Sequence, residues 1–407
     1  MHRCDPITTA TTIKAMNNTT RFTCTLLIAC LFNAGTTEAG SNAHVRGNLD
    51  NCYFQFQTKK TGHVAFIGGS ITEMNGYRPM VMEILTKRFP KTKFTFTDAG
   101  ISSTCSTTGA FRLQNDVLSK GPVDLFFIEF AVNDDQDAGH ARRECIRGME
   151  GLIRHTRQHN PKADIVITHF VNPGMLAMVQ AGKTPVSAGA HEDVAKHYNV
   201  STINLQKELA DHIAAGKMTW KQFGGTHPKP PGNRLCANMI KDLLTRAWDK
   251  PSTGTSNHET PEPIDNLHYG NGRFIDPTKA VVKSGWKHHV PDWKNLKGGK
   301  RGRFTKLKLL CATERDGELT LEFTGTAIGV YILAGPDAGI VDASIDGGDH
   351  KSIDTYHRFS RGLHYPRTVM FDNDLKPGKH KLTLRISKTN TDKGRGGAMR
   401  IIQFVAN

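Results

Sequence analysis

The sequence predicts an α/β domain built on a parallel sheet, followed by an all-β domain. From residue 62 to about 248, apolar runs alternate with amphipathic stretches, as expected where strands and helices alternate along the chain. Beyond about residue 304, the apolar residues come in short pieces separated by Gly, Asp and Pro, which is typical of a β-sandwich. The 407 residues are 38% hydrophobic and 22% charged, enough to bury the cores of both domains.

The first 39 residues have the pattern of a secretory signal peptide. Arg21 precedes an apolar run at 22–32, and small residues then lead to Ala39. Met16 is an alternative start, because the residues before it add nothing to this pattern. The run is too short to span a bilayer, and no transmembrane helix is expected elsewhere. The stretch before Cys30 also resembles a bacterial lipoprotein box. The prediction is a secreted or periplasmic protein, with lipid anchoring at the bacterial surface as the alternative.

In the first domain the predicted elements alternate regularly. The run at 123–130 is almost continuously apolar, as expected for a strand that is buried on both faces of a parallel sheet. The predicted strands are His63–Ile67, Lys93–Thr97, Val123–Phe130, Ala163–Thr168 and Val200–Ile203. The predicted helices are Arg78–Arg88, Gly109–Ser119, Gly139–His159, Ala188–Tyr198, Leu205–Ala215 and Gly232–Ala247. We expect this domain to occupy residues 40–250.

The composition changes near residue 250, where Pro, Ser, Thr and Gly become frequent, which predicts a linker over 251–303. The β-sandwich domain is then expected at 304–407. Its predicted strands are Glu318–Phe323, Ile328–Leu333, Gly339–Ile345, Thr368–Phe371, Lys379–Arg385 and Arg400–Val405. Regular spacing of such short strands, with turn residues between them, suggests a β-sandwich.

The net charge indicates which class of molecule the protein binds. Without residues 1–39 the chain keeps 50 basic and 36 acidic side chains, a formal net charge of +14, which favours anionic partners. The segment 279–308 holds ten Lys or Arg and one acid, with Trp286 and Trp293 among them. It is either a solvated basic linker or a patch that binds an anionic polysaccharide, with the tryptophans stacking on sugars. Nucleic acid is not expected, because a secreted chain without a binding motif is a poor candidate.

Five cysteines remain after residue 39, with no zinc-type CxxC spacing. An odd, scattered set of this kind predicts no disulfide framework, although it leaves open one or two bridges that the sequence does not identify. We therefore expect no metal site and no cofactor.

The candidate catalytic residues follow the predicted strands or lie in a late loop. Ser70 follows a buried run that ends in Gly68-Gly69, and Gly100 and Asn133 follow the next two strands. His227 lies in a late loop before the last helix. The carboxyl ends of parallel strands meet at one edge of a sheet, so these residues are expected to lie together. A serine needs a base to become a nucleophile, and an imidazole that titrates near neutrality suits that task.

Ester attack by a serine generates an oxyanion that needs hydrogen-bond donors. The backbone N–H groups of Ser70 and Gly100 and the side-chain amide of Asn133 are the candidates. A glycine at position 100 would also let the backbone approach the substrate closely.

At these residues the chain resembles the SGNH, or GDSL-like, hydrolase family. Gly68-Gly69-Ser70-Ile71-Thr72 matches its serine block, Gly100 its glycine block, Val132-Asn133-Asp134 its asparagine block and His227-Pro228 its histidine block. The order and spacing also match, over roughly residues 60–248. The resemblance implies a flavodoxin-like three-layer α/β/α sandwich and ester hydrolysis through a Ser70–His227 pair. It also implies an oxyanion hole made from Ser70, Gly100 and Asn133.

The histidine block departs from the family pattern. The family usually carries an aspartate three residues before the histidine, whereas this chain has Gly224, and no acid occurs in 223–227. We therefore expect either a backbone carbonyl or a distant carboxylate to orient the ring of His227. With a carbonyl the enzyme would work as a dyad, more slowly than a triad.

The sequence thus predicts a secreted serine esterase with an appended, jelly-roll-like β-sandwich. By resemblance and architecture, its expected substrate is an acyl group, in particular acetyl, on a carbohydrate. One alternative is a carbohydrate-binding protein with a degenerate hydrolase domain, which the missing aspartate supports. A lipase or general short-chain esterase is the other, although no apolar lid is evident in the sequence.

Overall fold

The computed structural model describes residues 42–47, 49–250, 253–312, 315, 317–388 and 396–407. This part of the chain forms a parallel sheet between helices, followed by two antiparallel sheets. The expected signal peptide, with Met16, Cys30 and Ala39, lies outside the described residues. Within those ranges, no helix is both long and apolar enough to cross a membrane.

The first sheet confirms the predicted α/β class. Its strands are β1 (Ala43–His44), β2 (Thr61–Gly68), β3 (Lys93–Gly100), β4 (Leu125–Glu129), β5 (Asp164–Thr168) and β6 (Ser201–Ile203). They lie in the order β1-β6-β5-β4-β2-β3. Strands β2 to β6 pair in parallel, and β1 is antiparallel to β6. The chain leaves β2 for β3 on one side and later adds β4 on the other, so the connection changes direction at β2. This is the predicted flavodoxin-like order, and ligands bind at such a change of direction.

Helices cover both faces of this sheet. They are α1 (Asp50–Phe54), α2 (Ser70–Glu73), α3 (Tyr77–Arg88), α4 (Ser106–Asp116), α5 (Arg142–His159), α6 (Pro173–Gln180), α7 (Val186–His197), α8 (Leu205–Ala214), α9 (Trp220–Phe223) and α10 (Pro230–Ala247). Successive side chains of β2 point to opposite faces. Val64 and Phe66 therefore join one core, with α3, α8 and α10, while Ala65 and Ile67 join another, with α4, α5 and α7.

The second domain is a sandwich of two antiparallel sheets, as predicted. Its strands are β7 (Arg273–Ile275), β8 (Val281–Ser284), β9 (Trp286–His289), β10 (Leu309–Ala312), β11 (Glu318–Gly325), β12 (Ile328–Ala334), β13 (Ile340–Ile345), β14 (Lys351–Asp354), β15 (Tyr365–Asp372), β16 (Gly378–Ile386) and β17 (Met399–Ala406). One sheet has the order β15-β12-β17-β10-β9, with β7 also on β17, and the other has the order β14-β13-β16-β11-β8. Side chains such as Val330 and Phe404 from the first sheet, and Leu321 and Leu382 from the second, share one core.

The expectation of a linker over the whole of 251–303 is corrected by three strands within it. Strands β7, β8 and β9 pair with β17, β11 and β10. The chain bends at Gly285, whose φ is +67°, and so passes from one sheet of the sandwich to the other. Trp286 is buried in the sandwich core rather than free to stack on a sugar, and Trp293 packs against the other core, beside His364.

The two domains share a hydrophobic core. Tyr331 and Val405 of the sandwich are buried in the same cluster as Phe111 of α4 and Met149 of α5. Polar contacts join the same surfaces, since Arg147 donates to the carbonyl of Asn373 at 2.9 Å and to Asp374 at 2.7 Å. A continuous core of this kind holds the second domain in one position against the first.

The five cysteines that lie within the described ranges, Cys52, Cys105, Cys145, Cys236 and Cys311, are buried and unpaired. The bridges that the sequence left open are therefore absent among these residues. Burial raises the pKa of Cys145 and of Cys311 to about 11, so these thiols remain protonated near neutrality.

Candidate active site

Ser70 lies on a tight turn between β2 and α2, at the carboxyl edge of the sheet. The two preceding glycines are required by close packing. A Cβ at Gly68 would lie 2.2 Å from Thr72 Oγ1, and one at Gly69 would lie 2.0 Å from Asn133 Oδ1. Ser70 is the first residue of α2, where a backbone N–H has no partner within the helix. The turn thus presents the serine hydroxyl and an N–H group at the same place.

A buried arginine ties the strand ends below this turn. Arg112 of α4 has no exposed surface and donates to the carbonyls of Gly68 at 3.0 Å and Ala99 at 2.6 Å. It also forms an ion pair with Asp116 at 2.8 Å, four residues along the helix. Because one guanidinium binds the ends of both β2 and β3, it fixes the serine turn relative to Gly100.

His227 is brought to the serine by the loop between α9 and α10. Its Nε2 lies 2.7 Å from Ser70 Oγ. The loop is held by its own backbone, since Lys229 N donates to Phe223 O at 2.9 Å, and Asn233 Nδ2 donates to the carbonyl of Pro228 at 2.6 Å. Ser70 is half-buried and His227 is exposed, so the pair faces the solvent.

The described residues leave the other nitrogen of the ring without a hydrogen-bond partner. Among the described residues, His227 Nδ1 makes no hydrogen bond to a carbonyl or a carboxylate, so neither expected orienting group is present in this structure. Gly224 ends α9 with a φ of +110°, and a Cβ there would lie 2.2 Å from Lys229 N. A side chain at position 224 would therefore clash with the loop that carries the histidine.

Gly100, at the end of β3, pairs with Gly68 of β2. Its N–H donates to Asp98 Oδ1 at 3.0 Å. A Cβ at Gly100 would lie 2.3 Å from the backbone nitrogen of Glu73. The glycine is thus needed for packing against α2, which differs from the expected close approach to substrate.

Asn133 begins a π-helical turn, Asn133–Ala138, after β4, and it is 2% exposed. Its Nδ2 donates to Asp137 Oδ2 at 2.8 Å, while its buried Oδ1 has no partner. Asp137 in turn accepts a hydrogen bond from the hydroxyl of Tyr365 in the second domain, at 2.7 Å. Since an amide nitrogen carries two N–H groups, one remains after the bond to Asp137.

A carboxyl group lies buried beneath the serine turn. Glu129, the last residue of β4, pairs in register with Gly68 and has no exposed surface. Its Oε2 accepts a hydrogen bond from Thr72 Oγ1 at 3.3 Å, and its Oε1 has no partner. Burial raises the pKa of Glu129 to about 8, since no cation contacts the carboxylate among the described residues.

The pKa of Asp134, the next acid along the chain, is shifted in the opposite direction. Asp134 accepts hydrogen bonds from Ser106 and from His191 Nε2, the latter at 2.9 Å. Burial alone would raise its pKa, but hydrogen bonds from His140 and His191 hold the pKa of Asp134 below its ordinary value. Asp134 therefore anchors the start of α4 as an ionised group and lies outside the cleft.

Ser70 and His227 open into a cleft of about 790 Å³ that both domains line. The first domain contributes Ser102, Ser103, Gln136 and Asp137, and the second contributes Arg301, Arg358, Phe359, Arg361, Gly362, Leu363 and Tyr365. The sequence predicted Ser70, Gly100, Asn133 and His227 as site residues, and it did not indicate this second wall. Its residues come from loops of the sandwich, and no local pattern marks them.

Residues 66–235 match the model of the GDSL-like lipase/acylhydrolase family. This part of the chain is a GDSL-like lipase/acylhydrolase domain. The chain is accordingly a carboxylic ester hydrolase. A comparison with curated proteins found no match.

Among solved structures, the fold of both domains is similar to that of a two-domain esterase active on acetylated mannans. The structure crystallised with mannopentaose is 20% identical with a TM-score of 0.71, covering 90% of this chain and 96% of that one. A second structure of an esterase with the same description is 21% identical with the same TM-score, covering 90% and 97%. At this identity the likeness establishes the fold, in which a GDSL-like domain is followed by a second domain.

Proposed function

We propose that this chain is a serine esterase that removes acyl groups, in particular acetyl, from carbohydrate. The observation that carries the proposal is the 2.7 Å contact between Ser70 Oγ and His227 Nε2, at the base of a cleft open to solvent. The family match supports ester hydrolysis as the reaction.

In the proposed reaction, Ser70 Oγ attacks the ester carbonyl while its proton passes to His227 Nε2. The imidazolium then returns that proton to the oxygen of the leaving sugar, which departs as an alcohol, and an acyl-serine remains. Water hydrolyses the acyl-serine by the same route in reverse. For Nε2 to accept a proton, the neutral ring must carry its own proton on Nδ1, which here faces no partner among the described residues.

The oxyanion of the tetrahedral intermediate needs donors that point at it. The N–H of Ser70 and the second amide N–H of Asn133 are the candidates in place, with Asp137 orienting the Asn133 amide through the other N–H. The N–H of Gly100 joins them only if its hydrogen bond to Asp98 is exchanged for one to the oxyanion. Asp137 therefore acts as a positioning residue, since it reaches the intermediate through Asn133.

The shape of the cleft supports a sugar as the alcohol part of the ester. Phe359 is 41% exposed and lines the cleft, with its ring 5.6 Å from that of Tyr365. An exposed aromatic ring offers a flat apolar surface of the kind on which sugar rings stack. The esterase that shares this two-domain fold is active on acetylated mannans, which supports the same class of substrate here.

The test is acetate release from acetylated oligosaccharides, alongside turnover of p-nitrophenyl acetate, by the wild type and Ser70→Ala. We expect the wild type to act on both substrates and the variant on neither. Thr245→Ala, at an exposed position of α10 away from the cleft, is the matched control for losing a hydroxyl.

Each alternative predicts a different result. A carbohydrate-binding protein with a degenerate hydrolase domain would turn over neither ester, yet would still bind the oligosaccharide. A lipase or general short-chain esterase would hydrolyse p-nitrophenyl esters, with no acetate released from the sugar. Either outcome would overturn the proposal.

We also propose that the protein is secreted, with cleavage near Ala39 rather than lipidation at Cys30. The support is the sequence pattern of the first 39 residues. Intact-mass analysis of the protein from a bacterial host is the test. A mature chain that begins near residue 40 is expected, whereas a mass that includes acyl chains on Cys30 would contradict it.

A further inference from the structure

The second-domain wall of the cleft carries three arginines without acidic partners. Arg301 precedes a short helix at 302–304, and Arg358 and Arg361 begin and end another at Arg358–Arg361. No carboxylate forms an ion pair with any of them among the described residues. The cleft's own acid, Asp137, is already bound by the side chains of Asn133 and Tyr365.

Arginines elsewhere in the chain have partners of two kinds. Arg303, two residues after Arg301, forms an ion pair with Glu73 at 2.9 Å, and Arg400 binds Asp337 through two nitrogens, at 2.6 and 2.8 Å. Arg157 is buried and donates to the carbonyls of Tyr198 and Glu259, at 3.0 and 2.8 Å. The three cleft arginines differ from these in lining a cleft that opens to solvent.

The guanidinium groups retain free donors. Arg301 donates to the carbonyl of Ser102 at 2.7 Å and to Ser103 Oγ at 2.8 Å, which fixes it in place and leaves three of its five N–H groups. Arg358 donates to the carbonyl of Gln136 and lies 4.9 Å from the ring of Phe359. Arg361 is exposed and makes no hydrogen bond or ion pair among the described residues.

Three guanidinium groups and one bound carboxylate leave the cleft with net positive charge. Cations on the wall of a concave site raise the local concentration of anionic ligands. The planar fork of a guanidinium also matches two oxygens of a carboxylate or a sulfate, with charge-assisted hydrogen bonds. A neutral sugar would use neither property.

We infer that the cleft recognises an acidic glycan, in which a carboxylate or sulfate group lies on the acylated sugar or on its neighbour and binds Arg358 and Arg361, with Arg301 as a fixed third donor. This inference rests on the proposed function, since it names the class of carbohydrate that the same serine would deacylate. The sequence left open an anion-binding patch at 279–308; Arg301 of that segment lines the cleft, whereas Trp286 is buried in the core.

The test compares kcat/KM for three acetylated oligosaccharides of similar length: a neutral one, one with uronic acid residues and one with sulfate esters. The variants are Arg361→Gln, Arg358→Gln and the double variant. Lys379→Gln is the control, because Lys379 is an exposed cation of β16 that does not line the cleft. Turnover of p-nitrophenyl acetate reports the chemistry without the glycan.

We expect at least one anionic substrate to have a kcat/KM about ten-fold above the neutral one, since charge-assisted hydrogen bonds are stronger than neutral ones. Arg361→Gln should remove most of that advantage through KM. A preference for the uronate or for the sulfate identifies the anionic group. Lys379→Gln should behave as the wild type.

Equal kcat/KM for neutral and anionic substrates would overturn the inference. So would a loss in Arg361→Gln that is the same on the neutral substrate as on the anionic ones. Failure of the proposed function has a different signature, because the wild type would then turn over no acyl ester at all. Binding of a deacetylated acidic oligosaccharide to Ser70→Ala would still report the arginines in that case.

Discussion

The buried carboxyl group of Glu129 makes the stability of the first domain depend on pH. The pKa of Glu129 is raised to about 8 because burial removes water from its carboxylate, whereas the ordinary glutamate pKa is 4.5. Between these values the unfolded chain releases the proton and the folded chain retains it. The folded state therefore binds more protons, so the free energy of unfolding falls as pH rises through this window.

The size of the effect follows from the width of the window. Each pH unit between about 4.5 and 8 costs about 1.4 kcal/mol of stability from this group. Glu129→Gln keeps the shape of the protonated acid and cannot ionise. Relative to the wild type, the variant should gain about 3 kcal/mol between pH 4.5 and pH 7, and about 4 kcal/mol between pH 4.5 and pH 8.

Urea unfolding at four pH values from 4.5 to 8 measures this difference. The amide introduced by Glu129→Gln would add N–H donors that change stability by the same amount at every pH, so the test is how the difference changes with pH rather than its value at one pH. Glu322→Gln on β11 is the matched control, since Glu322 is exposed and the charge lost is the same. A difference between Glu129→Gln and the wild type that stays constant from pH 4.5 to 8 would refute the reasoning.

Four other substitutions test the candidate site directly. Ser70→Ala should lower p-nitrophenyl acetate turnover by several orders of magnitude, with an unchanged unfolding midpoint; substantial residual activity would make Ser70 a turn residue only. Asn133→Ala should lower kcat by about 10²–10³ with little change in KM, and Asp137→Ala should have no further effect in that background, whereas a raised KM would indicate binding instead. Gly224→Ala should destabilise the histidine loop by several kcal/mol, measured by thermal unfolding, because a Cβ meets Lys229 N; an unchanged midpoint would contradict this.

The sequence predicted the first domain well because its strands are buried on both faces. All five residues of β4 are buried, and such a run has no polar interruptions that would hide it. The predicted ends of β2, β4 and β5 differ from the observed ones by one to two residues. Strand β1 was missed, since two residues at the antiparallel edge of a sheet carry no periodic signal.

Prediction was weaker where strands lie at the edge of the sandwich. Strand β8 is exposed at all four positions, including Val281 and Val282. Its Lys and Ser residues, and the Lys-His-His of β9, make the segment resemble a solvated linker. These residues form strands because β8 pairs with β11 and β9 pairs with β10. Pairing between distant segments cannot be predicted from local composition.

The sequence predicted the contact between Ser70 and His227 but not the surroundings of the candidate site. Ser70 and His227 are 157 positions apart in the chain and were correctly expected to lie together. Ser70 follows a strand at the carboxyl edge of the sheet, and His227 lies in a late loop that was expected at the same edge. That His227 Nδ1 has no partner among the described residues could not be predicted, since this depends on the conformation of a loop with two glycines at positive φ, Gly224 and Gly225. The hydrogen bond from Asn133 Nδ2 to Asp137 likewise could not be predicted, because it depends on the geometry of a π-helical turn.

The shared core changes the role of the second domain. Because Tyr331 and Val405 are buried with Phe111 of α4, the sandwich covers apolar surface that the first domain would otherwise expose to water. The same docking brings Tyr365 to Asp137 and so reaches the amide of Asn133 through two hydrogen bonds. The sandwich also supplies the arginines of the cleft. Substrate selection and the geometry of the proposed oxyanion donors therefore depend on one interface, and a sequence change there would affect both together.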